Sequence, residues 1–134
     1  MAVKTSATRI AEEYTNGVWN TKDIGFIDRL VHPDVFIHSR LGDFRGTVAL
    51  KKVAQSWLTG FPDLAVKNVL VISENDLVAI QWTAKGTHLG EFKGKKPSGK
   101  SVSYSGVTIY RIQDDKIVEY WAYLDMQHLL NQIS

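Results

Sequence analysis

The 134-residue sequence predicts an α+β fold, a mostly antiparallel sheet with helices on one face. Two observations carry this. Apolar residues recur at helical spacing through the first half of the chain, and the second half is a series of alternating apolar runs joined by short turns. A sheet that curls around its helices leaves a pocket between the two layers.

In "SATRIAEEYTNGV", Ile10, Tyr14 and Val18 recur every fourth residue with Ala7 and Ala11 beside them, and Thr5 or Ser6 can cap the start. In "TKDIGFIDRLVHP", Thr21 is an N-cap candidate and Ile24, Ile27, Leu30 and Val31 form one stripe. Pro33 stops that helix, because the residue before a proline is pushed out of the helical region. "DVFIHS" reads as a short strand and "LGDFRG" as a turn. Thr47 opens a third helix with Leu50, Val53, Ala54 and Trp57 on its apolar face, closed by Gly60 and Pro62. Strands follow at "LAVKNVLVI", "VAIQWTAKGTHLGEF", "SVSYSGVTIYRI" and "IVEYWAYLD", and "MQHLLNQI" returns to helical spacing. No repeat or linker divides the chain, so residues 1–134 are expected to form a single domain.

Composition narrows the function classes. Hydrophobic residues make up 44% and charged residues 22%, a globular balance, and the net charge of +2 is too small to imply nucleic acid or a membrane surface. Without cysteine there is no disulfide, thiolate metal site or cysteine nucleophile. The N-terminus lacks the apolar core of a secretion signal, and the aliphatic run "VLVI" is far too short to span a bilayer. A cytoplasmic location fits.

Asp125 is the conspicuous residue, an acid closing the aromatic run "VEYWAYLD". Counting parity along that strand puts Ile117, Glu119, Trp121, Tyr123 and Asp125 on one face. The same count puts Val78, Ile80, Trp82, Ala84, Gly86 and His88 on one face of the earlier strand, and His38 with Phe36 on a third. Ionisable groups at strand ends beside large aromatics suggest a cavity mouth or floor. The bland reading is that Asp125 caps the helix beginning at Met126 and that His88 is an ordinary hydrogen-bonded strand residue. The four histidines show no metal-binding spacing, and no nucleophile elbow or phosphate loop is present.

"FPDL" (61–64), "GTHLGEF" (86–92), "PSGKSV" (97–102) and "IYRIQDDKIVEYWAYLDMQHLLNQ" (109–132) together resemble the SnoaL-like polyketide cyclase (ester cyclase) family of the nuclear transport factor 2-like superfamily. The resemblance implies a cone of curved sheet closed by helices around a deep apolar pocket. It also implies that Asp125 is the general acid and base of an intramolecular aldol ring closure with His88 close by, and that no metal or organic cofactor takes part. A carboxylate in an apolar wall loses hydration and becomes a better base, and His88 is expected to orient it or to donate to an oxyanion. His38, Trp82, Tyr104, Trp121 and Tyr123 are the expected surfaces for a small apolar or aromatic carbonyl ligand. Lys93, Asp115 and Ser98 depart from the family pattern, all in loops.

Cyclase-like acid–base chemistry therefore ranks first, and a pocket protein that binds a ligand without turnover second. An isomerase needs a tyrosine and acid pair gripping an oxyanion, for which the sequence offers no clear equivalent. An epoxide-opening site needs an Asp–Arg–Asp set, for which Arg111 is a weak candidate. Val107, Ile109, Val118, Tyr120, Ala122 and Leu124 are assigned to the face opposite the pocket. That much apolar surface predicts a homodimer, as the resemblance also implies.

Overall fold

The computed structural model describes residues 5–40 and 42–134. The chain runs α1 (Ser6–Thr15), a π-helical turn (Asn16–Asn20), α2 (Gly25–Leu30), β1 (Val31–Ser39), β2 (Gly42–Arg45), α3 (Thr47–Gly60), β3 (Ala65–Glu74), β4 (Leu77–Thr87), β5 (Ser101–Gln113), β6 (Lys116–Leu124) and α4 (Met126–Gln132). The six strands form one open, mixed sheet in the order β2-β1-β6-β5-β4-β3. Only β1 and β6 run parallel; the other neighbours are antiparallel. The helices cover the concave face.

The local chemistry explains most boundaries. Thr5 caps α1, its hydroxyl oxygen accepting from the Thr8 N–H at 3.1 Å. Thr21 does not cap α2. Its hydroxyl donates to Gly17 O, and Asp23 accepts from the Gly25 N–H instead. Gly17 has no side chain because Phe26 lies on it: a Cβ there would sit 2.4 Å from the ring. β1 begins earlier than the sequence suggests, at Val31, which pairs with Ile117. Pro33 is tolerated because the β1–β6 register shifts between Val31 and Phe36, so the ladder does not need its missing N–H there. The segment read as a turn is the edge strand β2. Between β5 and β6, Asp114 and Asp115 both take positive φ, which suits the right-handed twist of a tight hairpin.

Two apolar clusters hold the layers together. One packs Ala11, Tyr14 and Val18 of the N-terminal helix, Ile27 of α2 and Leu50 of α3 on Val78, Ile80, Tyr110 and Tyr120 of the sheet. The other gathers Trp57, Phe61, Phe92, Tyr104 and Leu129. Each fully buried aliphatic side chain such as Ile27 or Leu50 contributes about 1.5–3 kcal/mol. Among the described residues no helix is long and apolar enough to cross a membrane.

The sheet register corrects the parity count on β6. Ile112 pairs with Ile117, but Arg111 pairs with Glu119, so Val118 is an extra residue and the faces exchange there. Tyr120, Ala122 and Leu124 point to the concave face, opposite Tyr110, Thr108 and Gly106. Glu119, Trp121 and Tyr123 point outward. Val107 and Ile109 do lie on the outer face, in register with Tyr123 and Trp121.

Candidate functional site

Between the helices and the concave face lies a cavity in which the centre of a water-sized sphere is free to move through about 100 Å³. That is several times what a single water needs. Its sheet wall is built from cross-strand rows, Tyr110 with Tyr120, Thr108 with Ala122, and Ala84 with Tyr104, together with Trp82 and Leu124. Tyr14, Trp19, Leu50 and Trp57 close it from the helix side. The lining is overwhelmingly apolar. Trp82 lies across Gly106, where a Cβ would come within 2.5 Å of the indole, and its Nε1–H donates to Thr108 Oγ1 at 3.0 Å. The glycine is what lets this ring lie flat on the wall.

One end of the cavity is polar. Tyr14 comes down from α1 onto the Tyr110–Tyr120 pair, with ring centroids 5.8 Å and 6.4 Å away. Thr15 Oγ1 donates to Ala11 O at 2.9 Å, which leaves its oxygen to accept from Tyr110, 3.5 Å away. The Tyr14 hydroxyl is sealed from water and makes no well-formed hydrogen bond. Tyr120 is near enough to perturb its ionisation without reaching hydrogen-bonding geometry. Burial first, then the Tyr120 and Tyr110 hydroxyls, hold Tyr14 well above the ordinary phenol range. Burial pushes Tyr110 up to about 12 and raises Tyr104 and Tyr120 as well. These phenols are neutral donors at any physiological pH.

The other end is the mouth. Arg40, Leu124 and Met126 line both the cavity and a shallow surface hollow, and Asp125 lies in that hollow. Asp125 is exposed and caps α4, its Oδ1 accepting from the His128 N–H at 2.9 Å. Oδ2 makes no hydrogen bond with the described residues. The cap therefore occupies only one oxygen of this carboxylate.

The expected residues do not gather in one cavity. Trp82 and Tyr104 line it, Asp125 stands at its mouth, and His88 is not among its lining residues. His88 is 0% exposed and packs on Phe61. Its Nδ1 accepts from the Ser98 N–H at 3.1 Å and lies 2.9 Å from Ser98 Oγ, so the ring proton sits on Nε2, which has no partner. His38, Trp121 and Tyr123 are on the outer face, displaced from the expected ligand surface by the β6 bulge and by the β1 register. There His38 stacks on Trp121 with centroids 5.2 Å apart, and its Nε2 lies 2.8 Å from Glu119 Oε2. Arg111 joins the same outer group, 3.1 Å from Asp76 and 3.6 Å from Glu119, and so faces away from the cavity. Among the described residues no three His, Cys, Asp or Glu side chains converge as a metal site would require.

Several motif residues turn out to be pins. Asp63 of "FPDL" accepts from both the N–H and the hydroxyl of Thr87 in "GTH", each at 2.7 Å, which holds its carboxyl below the usual range. His88, the next residue of that motif, accepts from the Ser98 N–H of "PSG". Gly90 has no room for a side chain, since a Cβ would fall 1.9 Å from Thr59 O. Tyr14, Tyr110 and Tyr120 were not singled out from sequence. Tyr14 shows ordinary core periodicity, and Tyr120 moves to the inner face only because of the bulge.

The profile of the SnoaL-like polyketide cyclase family matches residues 9–133. AclR of Streptomyces galilaeus, named as a hydroxylase, is 31% identical, with 95% of this chain and 80% of that one covered at a TM-score of 0.85. Wild-type IdmH of Streptomyces antibioticus, named as a polyketide cyclase, is 29% identical over 96% and 98% of the chains at 0.80. A protein of Jannaschia sp. CCS1 named as a SnoaL-like polyketide cyclase is 22% identical over 100% and 95% at 0.91, a likeness of fold. No match is found among curated proteins.

Proposed function

The chain belongs to the SnoaL-like polyketide cyclase family, and from that premise we propose that it is an acid–base enzyme acting on an aromatic or polycyclic carbonyl compound held in the cavity. The observation that carries this reading is the shared mouth. Arg40, Leu124 and Met126 join an apolar cavity to the hollow holding Asp125. A ligand filling the cavity therefore presents its outer end to Asp125, the one carboxylate at that opening among the described residues. Asp125 takes a proton from the carbon next to a carbonyl group at the mouth. The enolate carbon attacks a second carbonyl of the same molecule, and Asp125 returns the proton to the new alkoxide. Arg40, a permanent cation at the same rim, favours the developing oxyanion. A bound ligand excludes water from Asp125, which is exposed in the protein alone.

A second reading, binding without turnover, draws on that same exposure and on the distance of His88 from the cavity. A naphthalene with acetyl groups at opposite ends separates the two. In deuterated buffer the enzyme reading expects catalysed exchange of the acetyl protons at the mouth end. Tight binding with exchange no faster than in buffer would favour the second reading.

We also infer pairing of two copies through the outer sheet face. Leu70, Val107 and Tyr123 occupy one cross-strand row, and Ile72, Ile109 and Trp121 the next. Leu70, Ile72 and Tyr123 are 55%, 67% and 54% exposed. Ala79 continues the second row and Gln81 interrupts the first, and an exposed apolar surface of this extent is typical of an interface.

A further inference from the structure

We propose that the tyrosine pair at the inner end of the cavity is a carbonyl anchor, with Tyr120 donating to a ligand oxygen and Tyr14 donating to Tyr120 from behind. This rests on the reading that a carbonyl ligand enters the cavity, and deepens it by fixing the ligand's polarity: one carbonyl at each end.

Five hydroxyl groups meet at this end. The Thr15 proton goes to Ala11 O. Tyr110 is directed to Thr15, and Thr108, whose oxygen takes the Trp82 N–H, interacts with Tyr110. Those three are committed within the protein. Tyr14 and Tyr120 are not: the buried Tyr14 hydroxyl makes no hydrogen bond among the described residues, and the Tyr120 ring lies beside it, with centroids 6.4 Å apart. A buried donor without an acceptor is rare and costly. Here it stands behind a residue that lines an apolar space large enough for a ligand. A ligand oxygen at Tyr120 would polarise that hydroxyl and make its oxygen a better acceptor for Tyr14, as in any hydrogen-bonded chain.

Geometry sets the length of the ligand. Tyr110, partner of Tyr120, is four residues along β5 from Gly106, partner of Leu124. At the rise of a strand this is about 13 Å. A ligand bridging anchor and mouth is therefore an elongated, flat molecule of roughly two fused rings, with oxygen functions at both ends.

Acetylnaphthalene and ethylnaphthalene, alike in shape but with and without a carbonyl, test the anchor. Bound to the wild type, the ketone should show a carbonyl infrared band shifted to lower frequency. Tyr120→Phe should abolish that shift and weaken ketone binding about tenfold, the loss of one buried hydrogen bond, while leaving ethylnaphthalene unaffected. Tyr14→Phe should reduce the shift without removing it, which a purely packing role would not do. An unshifted carbonyl in the wild type, or an unchanged band and affinity in Tyr120→Phe, would overturn the anchor while leaving cavity binding intact. Failure of both compounds to bind the wild type would overturn the cavity reading and the anchor together.

Discussion

Tyr110 and Tyr120 face each other across β5 and β6 with ring centroids 5.5 Å apart, and Tyr14 from α1 completes a buried phenol cluster against them. The cluster has a thermodynamic signature. Each phenol is raised above its unfolded value of 10.0, chiefly by burial, so the folded state resists deprotonation. For a raised acid, stability is fully present below the unfolded value and falls as pH climbs from there through the folded one. Denaturant midpoints should be level between pH 7 and about 9 and drop steeply above about 10. Tyr110→Phe should flatten part of that drop; the same alkaline slope with and without the hydroxyl would contradict the burial account.

Tyr14→Phe should leave the empty protein as stable as the wild type, or more so. Removing a buried hydroxyl that has no acceptor relieves a desolvation cost of about 1–3 kcal/mol and keeps the ring contacts. A fall in the thermal midpoint would mean that the hydroxyl is already well bonded.

His88→Ala should destabilise the loop between β4 and β5 rather than strip activity selectively. It removes a fully buried ring and leaves the Ser98 N–H without its acceptor, a loss of about 1–3 kcal/mol for the unpaired donor alone. Amide exchange at Ser98 and at Gly99, whose N–H donates to the His88 carbonyl, should quicken most. Exchange chemistry on the acetyl probe should survive in the folded fraction. Selective loss of that chemistry at unchanged stability would return His88 to a catalytic role.

Light scattering at micromolar concentration should give a dimer, and Ile72→Lys should give a monomer with the cavity still able to bind ligand. Ile72 is two-thirds exposed in the isolated chain and stands at the β3 end of an outer apolar row, so its replacement costs the monomer little. A wild type that is monomeric throughout would remove the outer face as an interface.

The order and type of the elements were legible because periodicity carries them: 3.6-residue stripes in α1 and α3, alternation in β3 to β6, and glycine, asparagine and aspartate at the turns. The site was legible only in part. Trp82 and Tyr104 reach the cavity as parity predicts, since the β4–β5 ladder is unbroken. Trp121 and Tyr123 do not, because one inserted residue, Val118, exchanges the faces of β6. The trace of the bulge in "KIVEYWAY" is the odd separation between two buried residues, Ile117 and Tyr120. His88 illustrates a second limit: nothing in "GTH" announces that its ring accepts from the Ser98 N–H, a partner ten residues on.

Asp125 caps α4, and its proposed chemistry can be tested apart from that cap. Asparagine retains an oxygen for the His128 N–H and caps helices about as well as aspartate, so Asp125→Asn should fold with the wild-type midpoint. Asp125→Ala should lose about 1 kcal/mol through the missing cap. The decisive measurement is the rate of proton-for-deuterium exchange in the diacetyl naphthalene bound to wild type and to Asp125→Asn, compared at saturating ligand. The account predicts that the Asn variant binds with unchanged affinity and exchanges on the order of 10²–10⁴-fold more slowly, the contribution of a general base. An Asn variant that exchanges at the wild-type rate would contradict it and leave Asp125 as a helix cap alone.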